Sequence, residues 1–159
     1  MQDKLQESLI HLLHRAGQCA GGLFQAEVKV GDLTPRQLAV LITVAGNEGM
    51  SQTGLVERTG IDRSTLADIV RRMQRKGLLQ RRRTREDARA YAVRLTEDGK
   101  KLLKLAEPLA KRVDERILEA LPAKRRELFI EELTIIVGTL EKLSDTDTGP
   151  VTDGETGEP

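Results

Sequence analysis

The chain has 159 residues, of which 38% are hydrophobic and 32% charged. This composition predicts a soluble protein rich in amphipathic helices, with one domain or one small domain with extensions. No apolar run approaches the ~20 residues that cross a bilayer, and the N-terminal residues lack the basic-then-apolar pattern of a secretory signal. The single cysteine, Cys19, excludes an intramolecular disulfide and suits a reducing compartment. We therefore expect a cytoplasmic protein that does not contact a membrane.

Charge is unevenly distributed along the chain, although the formal net charge is only +1. Residues 144–159 hold five acids and no Lys or Arg, so the rest of the chain carries 26 basic against 20 acidic residues. Between Arg58 and Arg94, twelve basic residues stand against four acids, a surplus of eight positive charges within 37 residues. A local field of this size favours a polyanion as partner, although charge alone fits a solvated basic face equally well.

Two helices are predicted before residue 50. Apolar residues recur at helical spacing from Leu5 to about Val30, and Gly31 is a fitting C-terminal stop. Thr34 followed by Pro35 marks the start of the second helix, because Thr is a good cap and Pro suits the first helical position. The predicted buried stripe of the second helix comprises Leu38, Leu41, Ile42 and Ala45.

Residues 51–77 predict two helices joined by a tight turn, which is the helix-turn-helix pattern. Ser51 opens the shorter helix, residues 59–61 form the turn, and Asp62 caps the longer helix, which Gly77 ends. One face of the longer helix carries the apolar residues Leu66, Ile69, Val70 and Met73. The opposite face presents Arg63, Ser64, Thr65, Ala67, Asp68 and Arg71.

The rest of the chain predicts a hairpin and two long helices. Residues 78–83 and 90–95 have the pattern of short strands around a polar tip at 84–87, which forms the wing. Thr96 begins a long helix that Pro108 must kink or interrupt. The last helix starts at Pro122, and its apolar residues are Leu128, Phe129, Leu133, Ile136, Leu140 and Leu143.

The predicted fold class is mainly α with a small β-hairpin wing: a winged helix-turn-helix of six helices. The outer helices carry more apolar surface than one winged helix needs to cover itself, so we expect a homodimer through the N- and C-terminal helices. The expected organisation is an N-terminal dimerisation helix (1–32), a DNA-binding domain (33–98), C-terminal dimerisation helices (99–143) and a disordered acidic tail (144–159).

Four short pieces of the sequence resemble the MarR family of bacterial regulators. Residues 33–41, Leu-Thr-Pro-Arg-Gln-Leu-Ala-Val-Leu, look like that family's second helix, and Gly77-Leu78-Leu79 followed by Arg81 resembles its passage from recognition helix to wing. Asp87-Ala88-Arg89 is similar to the Asp-x-Arg wing motif, and residues 95–99 to the Leu-Thr-x-x-Gly helix start. The pieces occur in the family's order and spacing. This chain departs from the pattern at Gln74, where members often carry an acid, and at Ala90, where they often carry Arg or Lys.

The predicted base contacts follow from the fit of a helix into the major groove. Arg63 can bond guanine through O6 and N7, and Ala67 can contact a thymine methyl group. Asp68 either accepts from a cytosine amino group or is a surface acid in a salt bridge with Arg71 or Arg72. The remaining DNA-binding residues predicted on the helices are Ser51, Gln52, Ser64, Thr65, Arg71, Arg72 and Arg75.

The wing supplies a second set of predicted contacts. The resemblance implies that Arg89, held by Asp87, enters the minor groove, where a narrow A·T tract concentrates negative potential. Arg83 and Arg85 would then reach flanking phosphates. The run of three arginines at 81–83 is also explained by an edge strand that charge keeps soluble, and this explanation is compatible with DNA binding.

The first two predicted helices carry candidate residues for three further roles: effector binding, metal binding and redox sensing. The resemblance implies a cleft for a small acidic or aromatic effector, whose carboxylate His14, Arg15 and Arg36 are candidates to bind. His11 and His14 are too few ligands for a metal site, and Cys19 is predicted to be a small buried core residue rather than a peroxide sensor. With no phosphate loop, metal motif or nucleophile elbow, the sequence indicates neither an enzyme nor a cofactor.

We therefore expect a sequence-specific transcriptional regulator: a repressor that binds a pseudo-palindromic double-stranded operator as a homodimer and is released by a small-molecule effector of the aromatic-acid type. Two alternatives stay open. An architectural protein would bind DNA regardless of sequence, with a specificity ratio near one and a steep salt dependence. A protein-interaction module would form dimers without DNA affinity.

Overall fold

The computed structural model describes residues 4–84 and 91–146 of the chain. The helices are α1 (Leu9–Glu27), α2 (Pro35–Gly46), α3 (Gln52–Thr59), α4 (Arg63–Arg75), α5 (Glu97–Leu118) and α6 (Ala123–Thr146), and the strands are β1 (Met50–Ser51), β2 (Leu79–Arg83) and β3 (Tyr91–Leu95). The predicted mainly α fold with a small wing is confirmed. One difference is β1, a two-residue strand that adds a third member to the antiparallel sheet, in the order β1-β3-β2.

Side-chain caps determine where the helices begin. Thr34 and Gln37 form a reciprocal capping box on α2, in which each side chain accepts from the backbone N–H of the other residue. The Ser51 hydroxyl accepts from Gly54 N at the start of α3. Helix α1 begins at Leu9, four residues later than predicted, because the Ser8 hydroxyl accepts from His11 N and caps the helix there.

The core joins the helix-turn-helix and the base of the wing to α2, the C-terminal end of α1 and the buried side of α5. All four apolar residues predicted for α4, Leu66, Ile69, Val70 and Met73, are buried. On α2 the prediction was partly wrong, because Ile42 and Ala45 are exposed while Val40 and Val44 are buried beside Leu41. The buried residues at 37, 40, 41 and 44 follow helical spacing. The buried face of α2 is therefore adjacent to the predicted face rather than identical with it.

The junction between α4, the wing and α5 accounts for the Leu-Thr-x-x-Gly motif. Gly77 ends α4 with a positive φ of 72°, which suits glycine. The Thr96 hydroxyl donates to Gly77 O at 2.5 Å and accepts from Gly99 N at 3.0 Å, so one side chain joins both ends of the wing. Helix α5 then continues through Pro108, which excludes the predicted interruption.

The chain divides into two compact units, residues 1–117 and 118–159. In the first unit, α1 is buried only at Phe24, near its C-terminal end. Cys19 is exposed, so the prediction of a buried core cysteine was wrong: it lies five residues before the point where α1 packs on the core. In the second unit, none of residues 123–145 is buried. Helix α6 runs to Thr146, three residues into the predicted tail, and the rest of that tail lies outside the described residues.

Candidate nucleic-acid interface

Helix α4 separates into a buried face and a basic exposed face. The four buried apolar residues fix the helix on the core, while Arg63, Ser64, Arg71, Arg72 and Arg75 are exposed. Thr65, Ala67 and Asp68 lie at intermediate depth beside them. The predicted recognition-helix residues therefore share one accessible surface, and the first of them stands at the helix N-terminus, where base edges are within reach in the major groove.

Asp62 holds the N-terminus of α4 in place. Its Oδ1 accepts from Thr65 N at 2.9 Å and from the Ser64 hydroxyl at 2.8 Å. Hydrogen bonds from the Thr65 side chain and backbone, then from Ser64, with a smaller contribution from the positive charge of Arg36, lower the pKa of Asp62 from 3.8 to about 2. The carboxylate is thus ionised at neutral pH and caps the helix as an anion.

Asp68 lies in the middle of the exposed face of α4 and forms ion pairs there. Its Oδ2 is 2.9 Å from Arg72 Nε, and its Oδ1 is 3.7 Å from Arg71 Nη2. The structure therefore contains the salt bridge, the second of the two predicted roles of Asp68. The side chain is still 44% exposed, so the pair orients the two arginines while one side of the carboxylate faces solvent.

Ser51 and Gln52, predicted to contact DNA from the start of α3, also have partners within the protein. The Ser51 hydroxyl caps α3 through Gly54 N at 3.1 Å. Gln52 Oε1 accepts from Arg81 Nη1 at 3.0 Å. Both side chains are half-buried. They hold neighbouring parts of the interface together and remain accessible at its edge.

Arg81 is a residue of the interface whose role the sequence prediction missed. Its Nε donates to Gln74 Oε1 at 3.1 Å, its Nη1 donates to Gln52, and its guanidinium carbon lies 5.0 Å from the centre of the Tyr91 ring. The available signal was strand alternation: Leu79 points into the core, so Arg81, two residues later, faces the same side.

The described part of the wing ends at Thr84 and resumes at Tyr91. Arg83 is exposed at the end of β2, and its guanidinium lies 5.9 Å from the Tyr91 ring centre. The predicted wing contacts Arg85, Asp87 and Arg89 lie outside the described residues, so the minor-groove contact remains a prediction.

The structure places the three effector candidates on two different helices. Arg36 lies at the start of α2 and borders a cleft of about 410 Å³ whose other lining residues are Pro35, Ala39, Thr59, Gly60, Ile61 and Asp62. His14 and Arg15 are exposed on α1, which contributes nothing to that cleft. Within residues 4–84 and 91–146, no group of three His, Cys, Asp or Glu side chains could hold a metal ion, and no helix is long and apolar enough to span a membrane.

A helix-turn-helix with a basic recognition helix and an antiparallel wing defines a winged helix-turn-helix DNA-binding protein. The model of the MarR family matches residues 31–90 of the chain. The transcriptional regulator HosA of Escherichia coli O157:H7 is 33% identical over 135 residues, which cover 85% of this chain and 98% of HosA. The chain therefore belongs to the MarR family, and it is a transcriptional regulator rather than an enzyme.

Two solved structures extend the likeness to most of the chain. The transcriptional repressor CouR, bound to a 23-mer DNA duplex, superposes with a TM-score of 0.79 at 30% identity and covers 86% of this chain and 97% of CouR. BpsR of Bordetella bronchiseptica, whose DNA binding is regulated by 6-hydroxynicotinic acid, gives a TM-score of 0.74 at 28% identity over 80% of this chain and 96% of BpsR. The predicted family and fold are thus confirmed.

Proposed function

We propose that this regulator is a cytoplasmic repressor that binds a pseudo-palindromic operator as a homodimer and leaves it when a small-molecule effector binds. The observation that carries the proposal is the division of α4 between a buried apolar face and an exposed basic face headed by Arg63. A helix held in this way fits the major groove, and two copies related by a two-fold axis fit successive major grooves. The likeness to CouR bound to DNA supports this arrangement.

The contacts divide into those that specify sequence and those that position the protein. Arg63, Thr65 and Ala67 stand at the N-terminal half of α4 and are proposed to meet base edges. Ser64 lies in the same region. Because its hydroxyl donates to Asp62, it is proposed to accept a hydrogen bond from DNA rather than to donate one. The phosphate contacts are assigned to the exposed arginines Arg71, Arg72, Arg75 and Arg83. Arg85, which lies outside the described residues, is proposed to make a further phosphate contact from the wing.

Dimerisation is supported by the apolar surface that each unit leaves exposed. In α6, Phe129, Ile136 and Leu140 lie on one face at helical spacing and are 40%, 39% and 50% exposed. In α1, Leu9, Ile10 and Leu12 are also exposed. Apolar helices at both ends of the chain are proposed to pair with those of a second copy, since two-fold dimers are the commonest closed assembly.

The effector is proposed to be a small aromatic acid, as the regulation of BpsR by 6-hydroxynicotinic acid supports. The polar side chains proposed to meet its carboxylate are His14 and Arg15 on α1 and Arg36 on α2. Such an acid would release DNA only if it binds the DNA-free arrangement of the dimer more tightly than the DNA-bound one. Release that persists when all three residues are replaced by Ala would exclude this assignment.

Binding of the protein to a duplex from upstream of its own gene, and to a scrambled duplex, tests the proposal. Fluorescence anisotropy at about 150 mM salt should show tight binding to the first duplex only. Arg63→Ala should weaken that binding by about 10- to 100-fold, the range for loss of a base contact, whereas Lys111→Ala, which removes an exposed charge from α5, should not. Equal binding to both duplexes would favour the architectural alternative, and no binding to either would favour a protein-interaction role.

A further inference from the structure

The three consecutive arginines of β2 do not face the same way. In the β2–β3 ladder, Leu79 is paired with Leu95, Arg81 with Val93 and Arg83 with Tyr91, so these residues share one face of the sheet. The residues paired at the inner end of this face, Leu79, Leu95 and Val93, are buried. Arg81 therefore stands where the core ends, half-buried, while Arg82 projects from the other face and is exposed.

From this position the Arg81 guanidinium reaches three separate elements. Its Nε is bonded to Gln74 at the C-terminal end of α4, at 3.1 Å, and its Nη1 to Gln52 in the first position of α3, at 3.0 Å. The ring of Tyr91 on β3 lies under the guanidinium at 5.0 Å. The nitrogens of a guanidinium are fixed in one plane, so these contacts set the positions of α3, α4 and the wing relative to one another.

Among the described residues, the two acceptors bonded to Arg81 are neutral amide oxygens. An acid at position 74 would pair with the guanidinium and cancel its charge locally, whereas Gln74 fixes the same geometry and leaves the charge intact. Arg81 thus orients the elements that meet the two grooves without subtracting from the positive field of the interface.

We propose that Arg81 is a positioning residue for sequence discrimination: it holds the recognition helix and the wing at the separation that simultaneous entry into the major groove and the adjacent minor groove requires. The inference rests on the proposed DNA-binding function. Electrostatic attraction to phosphates tolerates small displacements of these elements, but base contacts need hydrogen-bond geometry. Loss of the Arg81 contacts should therefore lower specific binding while leaving non-specific binding largely unchanged.

Arg81→Lys tests this inference because it keeps the charge and removes the planar fork. Arg82→Lys is the matched control, since it makes the same change one residue away on the exposed face. For both variants, the affinities for a duplex selected in vitro by the wild-type protein and for a scrambled duplex are measured at one salt concentration. We expect Arg81→Lys to lower the ratio of the two affinities at least tenfold, with scrambled-DNA affinity changed less than twofold, and Arg82→Lys to leave both unchanged.

Amide hydrogen exchange of the DNA-free protein gives a second readout. Arg81→Lys should speed exchange at the start of α3 and along β3, where Arg82→Lys should not. If Arg81→Lys matches the control in affinity ratio or in exchange, the inference is wrong while the proposed function stands. If the wild-type protein itself fails to discriminate between duplexes, the proposed function and the inference both fall. Gln74→Ala removes one acceptor of Arg81 without a charge change, so it decides the matter should Arg81→Lys not fold: it should lower the affinity ratio, and an unchanged ratio would overturn the inference.

Discussion

The carbonyl oxygen of Leu78 lies against Gly99 so closely that a β-carbon on Gly99 would fall well inside van der Waals contact. The same oxygen accepts from Thr96 N at 3.1 Å. The first turn of α5 therefore sits directly on the start of the wing, and only glycine permits this approach. Helix α5 is therefore held against Leu78, which lies between α4 and β2.

Replacement of Gly99 by Ala should destabilise the protein by about 1–3 kcal/mol, the range for overpacking a tight contact, because the backbone of Leu78 has little freedom to withdraw. Urea unfolding followed by circular dichroism measures the change. Gly46→Ala is the control, since a β-carbon there meets nothing within 4 Å, and it should be neutral or stabilising. Equal stability of Gly99→Ala and wild type would contradict the packing described at this junction.

Protonation of Asp62 should weaken the cap of α4. The pKa of Asp62 is lowered from 3.8 to about 2 in the folded protein, so its stabilising contribution is fully present above pH 3.8 and is lost as the pH falls towards 2. Carboxyl chemical shifts recorded against pH should give the low pKa directly. Asp62→Asn keeps a capping oxygen and removes the titration, so the difference in stability between the two proteins should shrink through this pH window. A difference that stays constant would show that Asp62 makes no such contribution.

Asp68→Asn distinguishes the two roles considered for this carboxylate. If the acid mainly orients Arg71 and Arg72, its removal should cost less than about 1 kcal/mol of stability, as for an exposed ion pair. It should also raise affinity for any duplex, with a steeper dependence on salt, because two arginines are no longer partly neutralised. Anisotropy titrations at several salt concentrations measure both effects. Reduced affinity for the operator alone would instead show that Asp68 accepts from a cytosine.

Ile136→Lys on α6 should shift the protein from dimer to monomer, because a charge would be placed in the centre of the apolar face that includes Phe129 and Leu140. Analytical ultracentrifugation over a range of concentrations measures the change, and we expect the dissociation constant to rise at least tenfold. Thr134→Lys introduces the same charge on the opposite side of the helix and should have a much smaller effect. Similar behaviour of the two variants would remove this face from the proposed dimer interface.

Periodicity and caps predicted the helix-turn-helix well. The spacing of Leu66, Ile69, Val70 and Met73 identified the buried face of α4, and Asp62 identified its start, because both signals are local. Strand β1 was missed, since two residues are too few to show alternation. Its pairing of Met50 with Val93 depends on a contact 43 residues away.

Two further differences arise from tertiary context. Cys19 was predicted to be buried because a free cysteine is usually a small core residue, but that general tendency does not show whether this position of α1 packs on the core, and Cys19 is exposed. The role of Arg81 was obscured by its charged neighbours, because a run of arginines suggests solvent exposure at every position. Alternation from Leu79 would have placed it inward, but its partners Gln52 and Gln74 come from two other elements and are not specified by any local pattern.

Helix α6 has 24 residues and, from 123 to 145, none that is buried. An isolated helix gains little from its own hydrogen bonds in water, because most helical stability in proteins comes from packing. If a second copy supplies the packing of α6, as proposed above, order in this helix depends on protein concentration. Its melting temperature should then rise with total concentration, as mass action requires. If α6 pairs with a second copy as proposed, we expect this helix to loosen first when few copies are present, and newly synthesised chains to order it only after they pair.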